Sequence, residues 1–208
     1  MKKILLFLVM LLNVAATFAE TYTSGGVVYT YTVNGTTASV TNYDANAIVS
    51  QSGVVTILGS ITPVTGGTSY TVTSIEARAF NGCTLTSVTI PSSVTSIGFK
   101  AFNYCSSLQT VTFAQEAKLS SIGEDAFCNC TALSTITIPS SVTSIGIKAF
   151  EVCTGFKTTI TIPSSVTSIG EGAFQGCDTL WYRDWETDRK STRLNSSHSG
   201  ESRMPSSA

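Results

Sequence analysis

The sequence is poor in charge and almost without histidine. Only 12% of its 208 residues are charged, and His198 is the one imidazole. A usual share of charge is about 25%. A single histidine leaves most acid–base and zinc chemistry without its commonest side chain. Lys plus Arg is 12 and Asp plus Glu is 13, a net charge of −1. No clustered basic face marks a nucleic-acid binder. Serine is plentiful but has no base partner, and neither a G-x-S-x-G elbow nor a phosphate-binding glycine loop occurs. No apolar run reaches the ~20 residues of a membrane span. With 42% apolar residues, global disorder is not expected either.

The charge that exists is unevenly placed. Arg183 to Ala208 holds five basic and four acidic residues together with His198, and Trp181 and Trp185 lie at its edge. Residues 20–180 hold five basic and nine acidic residues, a net charge of −4, with no histidine. The chain changes character at Trp181.

Both ends read as something other than fold. Lys2 and Lys3, the apolar run Ile4–Leu12 and Thr17-Phe18-Ala19 follow the order of a secretory signal, with cleavage expected after Ala19. No cysteine follows that site, so no lipid anchor is indicated. At the other end Asp188–His198 reads DRKSTRLNSSH. That string resembles the translation, in one frame, of a common sequencing adapter. Residues 181–208 are therefore set aside as an artefactual or disordered tail.

The middle is a repeat array. Ala-Phe recurs with Phe80, Phe102, Phe127, Phe150 and Phe174, at gaps of 22, 25, 23 and 24. A cysteine follows each Phe by three: Cys83, Cys105, Cys130, Cys153 and Cys177. TIPSSVTSIG occurs at 89–98, 137–146 and 161–170. The third coil replaces it with a version two residues longer, Thr112–Gly123.

Each unit has a physical reading. Val88-x-Ile90, Val111-x-Phe113 and Ile136-x-Ile138 alternate as a strand with one buried face. Pro91, Pro139 and Pro163 end it, having no N–H for the ladder. Val94 and Ile97, with their copies, point back inward. Gly98, Gly123, Gly146 and Gly170 are expected to permit a bend that other residues resist. Ala101 and Cys105 then share one side of a short 3₁₀ or α turn. A unit this size cannot bury its apolar face alone, whereas stacked units form a parallel sheet with internal ladders.

The pattern L-x-x-V-x-I-P-S-S-V-x-x-I-G-x-x-A-F-x-x-C resembles the BspA-type leucine-rich repeat of bacterial surface proteins. The resemblance covers about 71–180, and Glu76 departs from the glycine in the first coil. It implies adhesion to host proteins, extracellular matrix or other cells. The expected fold is a right-handed β-solenoid of leucine-rich-repeat type, with about five coils and one parallel strand per coil. Residues 20–70 are expected to form a β-rich N-terminal cap. Within it, Val27–Val33 and Thr36–Val40 joined at Asn34-Gly35 read as a hairpin, Val54–Leu58 as a strand and Gly66-Gly67 as a turn. No second cap follows, so Ala173, Phe174, Cys177 and Leu180 are expected to be exposed, as in a truncated array.

Candidate chemistry is sparse. The five column cysteines are expected to be buried thiols that act as small hydrophobes. Cys128 aligns with the polar Asn81, Asn103, Glu151 and Gln175. It is expected to face outward, paired between molecules or free, and to alkylate fastest. Cys128-x-Cys130 lacks the further ligands of a metal site. Glu116, Glu124, Asp125, Glu151 and Glu171 read as solvated acids. Asn34-Gly35-Thr36 and Asn129-Cys130-Thr131 match a glycosylation sequon, a pattern common by chance.

Thr89, Thr112, Thr137 and Thr161 should form a row on the exposed strand face. Threonine is a good strand former, which by itself accounts for the row. The row is also the candidate binding surface, since solenoids bind through extended faces. The expected protein is a secreted or cell-surface, non-enzymatic monomer with no cofactor, metal, nucleic acid or transmembrane segment. It would bind a protein or other macromolecule on a host or neighbouring cell. A spacer that presents a further C-terminal domain is the alternative. An ice-binding threonine face is a remote one, opposed by the irregular period and by one threonine per strand.

Overall fold

The computed structural model describes residues 19–24, 27–34, 36–43, 53–62, 68–157 and 160–177. The expectations for the leader, for the Gly66-Gly67 turn, for Leu180 and for the tail fall outside these residues. Within the repeats, alternation makes the first strand of each coil. In Ser87–Ile90 (β7), Thr110–Phe113 (β9) and Thr135–Ile136 (β11), Val88, Val111 and Ile136 point inward and are buried. They stack in parallel, with Val88 opposite Val111 and Ile136 opposite Val111. Val54–Thr56 (β4) extends the same ladder beside β7, giving a four-stranded sheet, here sheet B.

A second strand accompanies the first, so the count of one per coil is corrected to two. Ser96–Ile97 (β8), Ser121–Ile122 (β10), Ser144–Ile145 (β12) and Ser168–Ile169 (β13) pair in parallel, serine on serine and isoleucine on isoleucine. Two residues are too few for alternation to be visible in sequence. Tyr70–Ile75 (β6) heads this ladder, and Ser60–Ile61 (β5) pairs antiparallel with β6. Ala19–Ser24 (β1), Val27–Asn34 (β2) and Thr37–Tyr43 (β3) continue it on the other side, giving sheet A.

The cap shares both sheets with the array. β2 and β3 form the expected hairpin, closed at Asn34 opposite Thr37. β3 then pairs in parallel with β6, so the chain between them runs one circuit through β4. The expected boundary at 70/71 falls inside β6.

The third side of each coil is a turn. Cys83 N–H donates to Phe80 and Asn81 N–H to Arg78, both at 3.1 Å, the i→i+3 pattern of a 3₁₀ turn. These are the short 3₁₀ turns expected, and among the described residues none extends into a helix. In each coil two residues take positive φ: Arg78 and Gly82, Lys100 and Tyr104, Asp125 and Asn129, Lys148 and Val152, Gly172 and Gly176. A left-handed residue interrupts a right-handed helix.

The repeated glycine has a different reason from the one expected. Gly98, Gly123, Gly146 and Gly170 are not among the positive-φ residues. They sit where successive coils touch backbone to backbone. A Cβ on Gly123 would meet the Gly98 carbonyl carbon at 2.8 Å, and one on Gly146 would meet Glu124 N at 2.5 Å. Glycine is required there by close approach, not by a bend.

The core consists of columns. The rings of Phe80, Phe102, Phe127, Phe150 and Phe174 stack at centroid spacings of 4.9, 5.1, 5.3 and 5.2 Å, with interplanar angles of 7° or less. Parallel strands lie ~4.8 Å apart, so the coil repeat sets the ring spacing. Phe156 takes the leucine place of Leu85, Leu108 and Leu133 in the fourth coil, tilted 57° against Phe150. On the last described coil Ala173 and Cys177 are buried and Phe174 partly so. This corrects the expectation that all three are exposed: a coil encloses its own interior.

Candidate functional site

Strand alternation decides which hydroxyls leave the core. With Val88 and Val111 turned in, Thr89 and Thr112 turn out, directly opposite each other in the register of β7 and β9. Thr137, just beyond β11, and Thr161 continue the row; Thr112, Thr137 and Thr161 are exposed and Thr89 is half-buried. The expected row is present, and the structure adds another. Ser87 lies opposite Thr110, and Thr110 opposite Thr135. The strands therefore carry two outward hydroxyls each, not one. The strings Thr110-Val111-Thr112 and Thr135-Ile136-Thr137 contained that signal. Across β7, β9 and β11 the irregular period does not disturb the register, because the extra residues of the third coil fall after β9.

Those extra residues shape the face. Ala114, Glu116 and Ala117 help to line a groove of about 460 Å³. Thr110, Thr112, Thr135 and Thr137 line it together with Phe113, Pro139 and Ser140. Phe113 is only partly buried, unlike Ile90 and Ile138 in the same column. Glu116 supplies the single carboxylate, from a backbone with φ 54°. The groove lies in the ~300–1,000 Å³ range of small-ligand sites. Its chemistry is hydroxyl donors and acceptors, an aromatic edge and one anion.

The cysteine column is internal, as expected, but not wholly reduced. Cys83 and Cys105 are joined as a disulfide, which corrects the reading of five thiols. Stacked coils hold their Cα atoms 4.7 Å apart, within the usual ~4.4–6.8 Å for such a bond. Burial and bonding are compatible here. Further along, the Cys130 thiol donates to the Phe102 carbonyl at 3.1 Å and Cys153 to Phe127 at 3.2 Å.

Cys128 is buried, at 5% exposure, so its expected outward position is corrected. Its column neighbour Asn103 is equally buried, and Asn103 Oδ1 has no hydrogen-bond partner. Asn81 and Gln175, at the two ends of the column, are exposed. Stacking covers the middle of this column whatever its residue type. Around Cys128 the structure gathers Asp125 and Glu151, half-buried rather than fully solvated, with one ligand atom from each residue within 4.8 Å of the others. Glu116, Glu124 and Glu171 are exposed, as expected.

Asp125, Cys128 and Glu151 are donor types that could hold a cation, but both carboxylates have a lysine. Lys148 Nζ lies 3.0 Å from Glu151, and Lys100 Nζ 3.7 Å from Asp125. Cys128 donates to Glu151 at 3.5 Å and accepts from Asn129 Nδ2 at 3.1 Å. Burial, then the Glu151 hydrogen bond and charge, push its thiol up to about 12. The network joins three coils, so no local motif announced it.

Two parallel ladders, stacked side-chain columns and an open hydroxyl-bearing face define a leucine-rich-repeat solenoid. The BspA type leucine rich repeat region matches residues 67–182 in six copies. The chain belongs to that family. Among solved structures it is similar to a leucine rich repeat protein of T. pallidum, with 28% identity and TM-score 0.63 over 77% of this chain and 69% of that one. A leucine-rich repeat protein of Bacteroides ovatus shares 35% identity at TM-score 0.63, over 76% of this chain and 39% of its own length. A leucine rich cell surface protein of Faecalibacterium prausnitzii shares 30% identity at TM-score 0.51, over 77% and 53%. No curated protein matches.

Proposed function

We propose that this protein is an exported, surface-associated, non-enzymatic monomer that binds a protein or other macromolecule of a host or neighbouring cell. The double row of outward hydroxyls around the groove on sheet B carries the reading. Such a face offers many weak polar contacts on a rigid frame, which suits an extended partner better than a reaction. Glu116 is the only carboxylate in the groove, and one acid without a base is a poor catalytic set. The leader-like N-terminus and the cell-surface description of the Faecalibacterium relative support the location. Among the described residues no helix is long and apolar enough to cross a membrane.

Binding of the chain to immobilised host matrix proteins and to whole bacterial or host cells tests the proposal. T112R together with T137R should fill the groove and weaken binding at least ~10-fold, about 1.4 kcal/mol. Equal binding by that variant, or turnover of a substrate by the unaltered chain, refutes it. A second reading has its own observation, since Thr110 and Thr135 pair beside the Thr89–Thr112 pair, which weakens the objection that each strand offers one threonine to an ice-binding face. Thermal hysteresis in the same samples decides between the two.

A further inference from the structure

We propose that Cys130 and Cys153 form a second disulfide, tying the third coil to the fourth as Cys83–Cys105 ties the first to the second. The inference is independent of the binding reading. It rests on the sameness of the two steps. Around the linked pair, Phe80 N–H donates to Ala101 at 2.7 Å and Gly82 N–H to Asn103 at 2.7 Å. Around the second pair, Phe127 N–H donates to Ala149 at 2.7 Å and Asn129 N–H to Glu151 at 2.8 Å. These paired backbone bonds bracket each cysteine step and fix the approach of the two chains. The neighbouring phenylalanines stack at 4.9 Å beside the linked pair and at 5.3 Å beside the other. Sequence separation differs by one residue, 22 against 23. Cys130 and Cys153 are free thiols in this structure, and the same backbone bonds also bracket the step from Cys153 to Cys177, so geometry makes the pairing feasible and chain order must choose it.

Chain order selects this pair. In a chain that emerges from its N-terminus, Cys83 meets Cys105, and Cys130 next meets Cys153 before Cys177 is available. The thiols must react while the coils assemble, because burial in the finished stack pushes Cys130 up to about 12 and Cys153 higher still. A protonated buried thiol is a poor nucleophile. The oxidant is a low-molecular-weight disulfide. A Cys130 thiolate attacks it and releases one small thiol, and the Cys153 thiolate then displaces the second. One S–S bond forms in the protein, one breaks in the oxidant, and the two protein thiol protons and two electrons leave with the two small thiols.

The test synthesises the full chain in a cell-free system with oxidised glutathione present, so that it folds as it emerges from its N-terminus. Remaining thiols are then alkylated, and the unreduced digest is mapped by mass spectrometry. Cross-linked peptides for Cys83–Cys105 and for Cys130–Cys153 are expected, with Cys128 alkylated. The variant C153S should lose the second cross-link and keep the first, which also reports that it folds. A digest holding only Cys83–Cys105, or one joining Cys153 to Cys177 or to Cys128, overturns the proposal.

Discussion

Along the edge of sheet A, Thr95, Ser120, Thr143 and Thr167 each give their hydroxyl to a carbonyl of the preceding coil, at 2.9–3.2 Å. On the outer face of sheet B, Thr112, Thr137 and Thr161 turn theirs to solvent, and no comparable ladder joins them among the described residues. The residue types are the same on both sides, and the difference is whether a neighbouring carbonyl lies within reach. At this margin the coils touch backbone to backbone, at Gly98, Gly123 and Gly146, as they also do at Gly155 on the approach to sheet B. Its polar groups are consumed in holding the stack. Sheet B is held by its own ladder, which leaves its side-chain hydroxyls available for a partner. On the proposed reading, stability and recognition lie on different sides.

The strongest challenge to that division is G146A. The new methyl would meet Glu124 N and the Gly123 carbonyl carbon at 2.5 and 2.6 Å, and neither is a flexible side chain. The coils must part, at about 3 kcal/mol or more. G82A is the control, since its Cβ would meet nothing within 4 Å and only a φ of 70° resists it. It should cost about 1 kcal/mol. Urea unfolding of both variants measures the contrast. Equal losses would mean that close approach does not define the sheet A margin.

Alkaline pH reaches the interior between the two faces. Cys128 and Cys130 are pushed from the ordinary 9.0 to about 12. Above pH 9 the unfolded chain releases these protons while the folded chain keeps them, so stability falls as pH rises toward 12. Each thiol contributes about 1.4 kcal/mol per pH unit in that window. Unfolding of the reduced protein at pH 8 and pH 10 checks the sign. A loss at pH 10 that C128S together with C130S leaves undiminished would place its origin elsewhere.

How much of this was legible beforehand follows from the range of each cause. Ala-Phe-x-x-Cys showed the period and the inner columns, because every coil repeats them. Val27–Val40 showed its hairpin through Asn34-Gly35, a local turn signal. The glycine column was visible, but its cause lies one coil away, in backbone that no single repeat displays. The position of Cys128 was misread for the same reason: its polar counterparts suggested an outer surface, while neighbouring coils cover it. The meeting of Asp125, Cys128 and Glu151 crosses two coils. The second hydroxyl row was written in the sequence and needed only the strand register to be seen.

A smaller contrast lies within the sheet A margin. Ser93 and Ser141 donate to Val72 and Leu119 of the preceding coil, both at 2.7 Å. Ser165 holds the same repeat position, yet its buried oxygen has no partner. S141A should cost about 1 kcal/mol and S165A nothing, or give a slight gain. Thermal unfolding of the two variants measures the difference. Equal losses would mean that the repeat position, not the bond, carries the stability.

The smallest effect on stability belongs to sheet B and bears most directly on function. T112V and T137V keep the β-branched shape that a strand favours and remove only outward hydroxyls. Each should move unfolding by less than about 0.5 kcal/mol, as expected for a surface site. Together they should still weaken partner binding, because an interface built on hydroxyls loses its hydrogen bonds and leaves the partner's groups unpaired. The same exchange at Thr143, on the sheet A side, removes a bond to Ser120. It should therefore lower stability while leaving affinity unchanged. If T143V altered binding as much as T112V with T137V, the two sides would not be separate, and the partner would have to be sought across both.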